Sequence, residues 1–371
     1  MKVAVVLTTI NVPTLLEGYA DNFEKYGHKD EVGFIVIGDR KTPKEAGEEI
    51  KRIKGRGFEA DYLDIPAQED WLSRFANLKE MIPYNSDNRR NVGYLLAVEQ
   101  GAEIIISIDD DNYALTNEDY LAAHKIVGTF QEMKAARSDN GWYNICRLLE
   151  TEPSRTIYPR GFPYYKRWAD TADLTTASGR VVINVGLWLQ HPDTDAVTNL
   201  NEPVKVTDMH SERIMLDHGV YTAINTQNTA LHRDVLPAYY YILMGAPIEG
   251  NKIDRYGDIW SGFFIQKVIN HMNERITVGP PLTNHIRNKH NLFNDLRQEL
   301  WGMILTDYLT PILESIQLTA PTYDGAYFEL ANKLEKAVID DDKASDEVKQ
   351  YFRQMTEAMR IWVDVCREIM K

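Results

Sequence analysis

The chain has 371 residues, of which 44% are hydrophobic and 26% are charged, a composition typical of a folded globular protein. Its 41 basic and 55 acidic residues give a net charge of −14, which argues against non-specific binding to nucleic acid or to anionic membranes. The two cysteines, Cys146 and Cys366, lie too far apart in the sequence to suggest a metal site, and we expect a reducing, cytoplasmic location. No apolar stretch reaches the length of a transmembrane helix.

The N-terminal part of the chain alternates between apolar strands and an amphipathic helix. The segments expected are strands at residues 2–9, 31–37 and 60–65 and a helix at 43–56. This alternation is typical of a parallel, doubly wound α/β sheet, which binds ligands at the carboxyl ends of its strands. Thr8 and Thr9 end the first strand, where we expect contact with a nucleotide. Asp39 follows the second strand and either accepts hydrogen bonds from a base or ribose or only shapes a turn.

Two arginines, Arg89 and Arg90, precede a helical pattern at residues 94–100. Backbone N–H groups at a helix start, the helix dipole and guanidinium groups all favour phosphate oxygens. We therefore expect Arg89 and Arg90 to contact a diphosphate. The alternative is an exposed, capped helix with surface arginines.

The strand after this helix ends in three carboxylates. Residues 104–108 read Ile-Ile-Ile-Ser-Ile, which predicts a strand buried on both faces, and Asp109, Asp110 and Asp111 follow directly. Adjacent carboxylates repel one another unless a cation lies between them, and Mg²⁺ or Mn²⁺ takes oxygen ligands together with substrate phosphates. An acid, any residue and an acid after a hydrophobic strand form the DxD pattern of GT-A sugar-nucleotide transferases. The alternative is a solvated acidic turn.

The middle of the chain has a less regular pattern. Residues 116–133 predict a helix, and the segment at 142–198 is irregular and aromatic except for a strand at 181–189. Asp193 and Asp195 follow a His-Pro pair, so we interpret them as loop residues.

Arg160 lies in the centre of this irregular segment, in the sequence Pro159-Arg160-Gly161-Phe162-Pro163. The two prolines favour an extended, kinked loop that holds the guanidinium in one direction. The surrounding aromatic residues offer stacking surfaces for a sugar or a base. A tight structural turn is the alternative.

Two polar segments in the second half carry further candidates. Residues 225–231 predict a polar-lined strand in which Asn228 faces a sugar. Asp258 begins a helical pattern, where it either caps the helix or faces the sugar or acceptor as a catalytic carboxylate.

A basic segment follows the last predicted strand and contains His285, Arg287 and Lys289. We expect His285 to complete a metal site with Asp109 and Asp111, and the two cations to face phosphate. The alternative is a basic surface loop.

From residue 292 onward the pattern is helical. The last predicted helix, 348–370, is amphipathic, with Phe352, Met355 and Trp362 near one face, so it packs on the sheet domain or on a partner chain of a homo-oligomer. The expected fold is α/β: a doubly wound, mainly parallel, Rossmann-like sheet of GT-A type with a C-terminal helical extension. We predict a nucleotide-sugar-binding domain at 1–291 and a helical region at 292–371.

Four landmarks, in this order, resemble the reversibly glycosylated polypeptides, a family that includes UDP-arabinopyranose mutases. They are Ile108-Asp109-Asp110-Asp111, Arg160-Gly161-Phe162-Pro163, Gly186-Leu187-Trp188-Leu189 with Asp193 and Asp195 following, and Arg255-Tyr256-Gly257-Asp258-Ile259-Trp260-Ser261-Gly262. The resemblance implies a GT-A fold, a UDP-sugar donor and a Mn²⁺ or Mg²⁺ ion. It also implies that Arg160 corresponds to the arginine that becomes reversibly glycosylated. Asn112 and Phe162 stand where the plant members have cysteine and tyrosine.

Three functions are compatible with these features. The preferred one is a metal-dependent UDP-sugar pyranose/furanose mutase with reversible autoglycosylation, in which Asp110 or Asp258 stabilises an oxocarbenium-like sugar and Arg160 holds it. The second is a glycosyltransferase that uses Asp258 as a base and moves the sugar to a separate glycan or lipid-linked acceptor. The third is an inactive sugar-nucleotide-binding scaffold subunit.

Overall fold

The computed structural model describes residues 2–169, 171–210, 212–287 and 291–371, which form a central sheet flanked by helices. The strands are β1 (Val3–Thr9), β2 (Val32–Gly38), β3 (Glu59–Leu63), β4 (Ile104–Ile108), β5 (Asn112–Ala114), β6 (Phe130–Ser138), β7 (Leu149–Glu152), β8 (Ala172–Gln190), β9 (Lys205–Met209), β10 (Ile214–Leu216), β11 (Asn228–His232), β12 (Pro247–Ile248), β13 (Asn251–Lys252) and β14 (Arg275–His285). The helices are α1 (Leu16–Lys25), α2 (Glu45–Gly55), α3 (Ile65–Leu72), α4 (Ala76–Met81), α5 (Arg90–Glu99), α6 (Tyr120–His124), α7 (Tyr164–Arg167), α8 (Ala196–Asn201), α9 (Gly257–His271), α10 (Leu292–Ser315), α11 (Tyr323–Ile339) and α12 (Asp346–Ile369).

The first four strands form the parallel, doubly wound sheet that the sequence predicts. They pair in the order β3-β2-β1-β4, all parallel. Because successive side chains of a strand point to opposite faces, Val5 packs with α1 and α2 while Val6 packs with α4 and α5. Gly93 lets α5 approach the sheet closely, since a Cβ atom there would lie 2.6 Å from Val6 Cγ1. Helices on both faces therefore bury these strands.

The remaining strands extend the sheet with mixed directions. Strand β11 is antiparallel to both β4 and β8, so β8 runs in the same direction as β4. Strand β14 is parallel to β8 and antiparallel to β5. The carboxyl ends of β1, β2, β4, β8 and β14 therefore meet at one edge of the sheet. The predicted α/β sheet is confirmed, and this edge carries most of the candidate residues.

The predicted helix at 116–133 is wrong over its second half. The chain forms the short helix α6 and then strand β6, with Gly128 between them at a φ of +91°. Strand β6 pairs with β8 along its whole length, and its first residues alternate between exposed and half-buried positions. Pairing with a distant strand thus overrides the local helical pattern.

The C-terminal helices pack on the sheet domain. Trp362 on α12 is fully buried and donates a hydrogen bond from Nε1 to the backbone oxygen of Leu236 at 3.0 Å. Tyr351, also on α12, donates from its hydroxyl to the backbone oxygen of Leu243 at 3.0 Å. The extension is confirmed, whereas its separation as a domain at 292–371 and a homo-oligomer remain predictions. Among the described helices, none is long and apolar enough to cross a membrane.

Candidate active site

A cleft of about 860 Å³ opens at the edge where the carboxyl ends of the strands meet. Its volume lies within the usual range for small-molecule sites. The candidate residues that line it are Thr8, Thr9, Asp39, Arg90, Asp109, Asp110, Asp111, Arg160, Asp258 and His285. Residues predicted from separate parts of the sequence thus share one cleft: some lie where strands end at this edge, whereas Arg90, Arg160 and Asp258 reach it from two helix starts and a loop.

Arg90 links the first strand to the acidic segment. Its guanidinium donates to Thr8 Oγ1 at 2.9 Å, to Ser107 Oγ at 2.8 Å and to Asp109 Oδ1 at 2.6 Å. Burial raises the pKa of Asp109 to about 7 although Arg90 opposes this shift. Arg90 is nearly fully buried, so it is placed to hold Asp109 rather than to extend toward a diphosphate.

Asp110 and Asp39 are held by short polar contacts at the ends of β1 and β2. Asp110 Oδ2 accepts hydrogen bonds from Thr9 Oγ1 at 2.6 Å and from Asn11 Nδ2 at 2.9 Å. Asp39 Oδ2 accepts from the backbone N–H of Ser86 at 3.1 Å, which fixes the loop on the far side of the cleft. These contacts order the rim of the cleft without closing it.

Asp111 and His285 lie side by side because β5 pairs with β14. Asn112 is the register partner of His285, and His285 Nε2 lies 3.4 Å from Asp111 Oδ2. The other ring nitrogen, Nδ1, donates to the backbone oxygen of His191 at 2.7 Å, which orients the ring. Burial opposes protonation, but Asp111 outweighs it and raises the pKa of His285 above its ordinary value.

The donor set at this position fits a divalent cation that also binds a diphosphate. Within the described ranges, no group of three or more His, Cys, Asp or Glu residues has the arrangement of a metal site. Asp109 is paired with Arg90, whereas Asp111 and His285 lie beside each other in the cleft and are the two groups that could bind such an ion. Mg²⁺ is typically bound by one or two carboxylates together with phosphate oxygens and water, so the single carboxylate of Asp111 is compatible with it.

Two further predicted contacts are corrected by the structure. Arg89 is buried away from the cleft, where Nε donates to Gln68 Oε1 at 2.7 Å and the guanidinium lies 4.7 Å from the Tyr84 ring centre. Asn228 is fully buried in the sheet and its Oδ1 accepts from the hydroxyl of Tyr120 at 2.9 Å. Both residues satisfy their polar groups inside the protein, so neither faces a ligand. Lys289 lies outside the described residues.

Arg160 is clamped between two carboxylates in the wall of the cleft. Its Nε and Nη2 donate to Asp193 at 3.0 and 3.2 Å, and its Nη1 and Nη2 donate to Asp258 at 3.2 and 2.7 Å. Nη1 also donates to the backbone oxygen of Arg255. All five N–H donors of the guanidinium are therefore engaged. Burial lowers the pKa of Arg160, but the two carboxylates outweigh burial and raise it well above the ordinary value.

Asp193, expected from the sequence to be a loop residue, is a candidate site residue that was not predicted. It follows β8, whose carboxyl end lies at the same edge as Asp109, and its backbone oxygen accepts from the N–H of Arg160 at 2.8 Å. Asn225 Nδ2 donates to its Oδ2 at 2.7 Å. Although burial acts in the opposite direction, Arg160 lowers the pKa of Asp193. Its position after a strand that is parallel to β4 could have identified it as a site residue. Recognising that position requires the order of the strands in the sheet.

Two further cations stand near the mouth of the cleft. Arg287 donates from Nη2 to Asp295 Oδ2 at 2.9 Å, and Arg255 donates from Nε to Glu299 Oε1 at 3.0 Å. Both residues line the cleft, and each carries a permanent positive charge. They are therefore placed to meet an anionic ligand.

The family model of the reversibly glycosylated polypeptides matches residues 2–371 of this chain. The chain belongs to this family. Relatives in the family of reversibly glycosylated polypeptides include a probable UDP-arabinopyranose mutase 1 from Pisum sativum, 25% identical, with 98% of this chain and 90% of the relative covered. UDP-arabinopyranose mutase 1 from Arabidopsis thaliana is 27% identical, with 78% of this chain and 74% of that protein covered.

Solved structures resemble this member of the family more weakly. A Staphylococcus aureus TarS fragment in complex with UDP-GlcNAc is 12% identical and has a TM-score of 0.40, with 100% of this chain and 90% of that chain covered. A mannosyltransferase from Pyrobaculum calidifontis in complex with GDP-Man and Mn²⁺ is 12% identical with a TM-score of 0.36, covering 99% of this chain and 73% of that chain. Similarity at these TM-scores does not identify the ligand of this chain.

Proposed function

We propose that this protein is a UDP-sugar mutase that interconverts pyranose and furanose forms and holds the sugar on Arg160 during the reaction. The observation that carries the proposal is the position of Arg160 in the same cleft as Asp109, Asp110 and Asp111. The names of the plant relatives, UDP-arabinopyranose mutases, support a UDP-linked pentose as the substrate.

The nucleotide would bind along the ends of β1 and β2. Thr8, Thr9 and Asp39 line this part of the cleft and offer hydroxyl and carboxylate groups to the base and ribose. Arg90 acts indirectly, since it fixes Thr8 and Asp109 rather than reaching the ligand.

The diphosphate would lie beside Asp111 and His285. These two residues would hold Mn²⁺ or Mg²⁺. The cation would neutralise the negative charge that develops on the leaving UDP. Arg287 lines the same part of the cleft and adds a positive charge for the phosphates. This arrangement separates the nucleotide-binding residues from the residues around the sugar.

Asp110 and Asp258 line the cleft in which the sugar would lie. As the anomeric C–O bond breaks, the sugar gains positive charge, which Asp110 or Asp258 would stabilise. Asp110 is oriented for this by Thr9 and Asn11. Arg160 then holds the sugar until the ring has changed size and UDP attacks again.

The second candidate is a glycosyltransferase with a separate acceptor, glycan or lipid-linked. The engagement of all five N–H donors of Arg160 by Asp193, Asp258 and Arg255 favours it, because an arginine held in this way is a weak nucleophile. In that case Asp258 would act as the base for an acceptor hydroxyl.

Incubation with UDP-arabinopyranose labelled in the sugar, in the presence of Mn²⁺, separates these functions. The mutase predicts labelled protein, with the label on the Arg160 peptide, and UDP-arabinofuranose in solution. Free UDP with a labelled acceptor would instead identify the transferase, and bound but unaltered donor would identify an inactive scaffold. Arg160→Gln is the control, since it removes the guanidinium and its amide nitrogen is not nucleophilic, so it should take no label.

A further inference from the structure

The two carboxylates that clamp Arg160 are held very differently. Asp193 is fixed from two other directions, by Asn225 Nδ2 at 2.7 Å and by the backbone N–H of Arg160 on its carbonyl oxygen at 2.8 Å. Asp258 lies in the first turn of α9, and in the described part of the chain its carboxylate accepts hydrogen bonds from Arg160 alone. Asp258 is therefore the partner that can release the guanidinium and turn toward the cleft.

We infer that Asp258 accepts the proton from Arg160 when the sugar is attached and that Asp193 is the positioning residue of the pair; this inference rests on the proposed function. The shortest contact supports this assignment, because Nη2 lies 2.7 Å from Asp258 Oδ2 and 3.2 Å from Asp193 Oδ2. Such a distance is within direct reach for proton transfer. Both carboxylates line the cleft, so the step takes place where the sugar is expected.

Attachment of the sugar couples a proton transfer to the departure of UDP. The Nη2 proton of Arg160 moves to Asp258 Oδ2, and the electron pair left on Nη2 forms the new bond to the anomeric carbon. The bond from that carbon to the diphosphate oxygen breaks, and its electron pair leaves with UDP. Asp258 thereby becomes neutral, the glycosylated guanidinium keeps its single positive charge, and UDP leaves with one additional negative charge; the return of the sugar to UDP reverses every transfer.

Asp193 has a separate part in this step. It stays bound to Nε, a nitrogen that does not react, and so keeps the guanidinium plane in place while Asp258 moves. Asn225 prevents Asp193 from following the guanidinium. A fixed carboxylate on one edge and a movable carboxylate on the other allow the arginine to be both held and deprotonated.

The test compares Asp258→Asn with Asp193→Asn, which remove one charge each from the same guanidinium. Single-turnover labelling of the protein by sugar-labelled UDP-arabinopyranose is measured together with UDP binding by calorimetry. We expect Asp258→Asn to label about 10²- to 10⁴-fold more slowly, with UDP affinity unchanged, because the proton acceptor is lost. Asp193→Asn should label faster than Asp258→Asn, and Asp258→Glu should restore part of the lost rate.

Labelling of Asp258→Asn at the wild-type rate, or a greater loss in Asp193→Asn, would overturn the assignment. A second measurement needs no variant: single-turnover labelling of the wild type should slow in D₂O, and an unchanged rate would count against proton transfer in this step. If the wild type takes no label at all, the proposed function fails first and the inference falls with it. That result differs from the one in which the wild type labels and the Asp258 variants behave like it.

Discussion

Mild acid should destabilise this protein through His124, which is fully buried in the sheet. Its Nε2–H donates to Asn228 Oδ1 at 2.9 Å, and its Nδ1 accepts from Asn184 Nδ2 at 3.0 Å. This pattern requires the neutral ring, because a second ring proton would face the N–H of Asn184. Burial, assisted by the charge of Arg213 and opposed by Asn228, lowers the pKa of His124 from 6.5 to about 4.

The sign and size of the effect follow from this pKa. Between about pH 4 and 6.5 the unfolded chain binds a proton at His124 that the folded protein does not. The free energy of unfolding is therefore highest above pH 6.5 and falls as the pH decreases toward 4. With about 1.4 kcal/mol per pH unit, the full loss is about 3 kcal/mol, of which about 2 kcal/mol falls between pH 7 and pH 5.

Urea unfolding at pH 7 and pH 5 measures this loss, and two variants isolate the contribution of His124. His124→Gln cannot take up the proton, so its loss between the two pH values should be about 2 kcal/mol smaller than that of the wild type. His218→Gln, at an exposed position, should behave like the wild type. An equal loss in the wild type and in His124→Gln would refute the reasoning.

Three further predictions concern the metal, the loop of Arg160 and the C-terminal helix. Asp111→Asn should weaken Mn²⁺-dependent UDP binding about tenfold or more in calorimetry, whereas Asp342→Asn, at an exposed position, should leave it unchanged. Gly161→Ala should lower the free energy of unfolding by about 2 kcal/mol or more, because Gly161 has a φ of +87° and a Cβ atom there would lie 2.2 Å from Ile259 Cγ2. The control Gly18→Ala should not destabilise the protein, because no atom lies within 4 Å of the added Cβ. Trp362→Ala should cost about 3–5 kcal/mol in urea unfolding, and a loss below 1 kcal/mol would show that α12 adds little to the core.

The acidic end of β4 could be predicted from the sequence because both of its signals are local. Four isoleucines in five residues indicate a strand buried on both faces, and Asp109 follows directly. The ends of β1 and β2 could be placed at the same edge because parallel strands of such a sheet are aligned. The positions of Thr8, Thr9 and Asp39 in the cleft follow from this rule alone.

Other features depend on contacts between distant parts of the chain, which a local pattern does not contain. Residues 130–133 were predicted as helical, yet they begin strand β6 because β8 pairs with them. Arg89 and Arg90 are adjacent and of one type, yet Arg90 meets Asp109 and Arg89 meets Gln68. The two side chains leave the start of α5 in different directions, and this direction decides which of them reaches the cleft.

Charge pairing and hydrogen bonds give the three adjacent acids of the cleft different surroundings. Three adjacent acids would repel one another, but Arg90 neutralises Asp109, and Thr9 and Asn11 hold Asp110, so Asp111 is the acid of the three that lies beside His285. At the other end of the cleft one arginine is shared by two carboxylates. A buried charge pair of this kind contributes little net stability, and removing one partner costs about 3–5 kcal/mol. The clamp of Arg160, Asp193 and Asp258 lies in the wall of the cleft, which favours the chemical role proposed for Arg160 over a role in the stability of the fold.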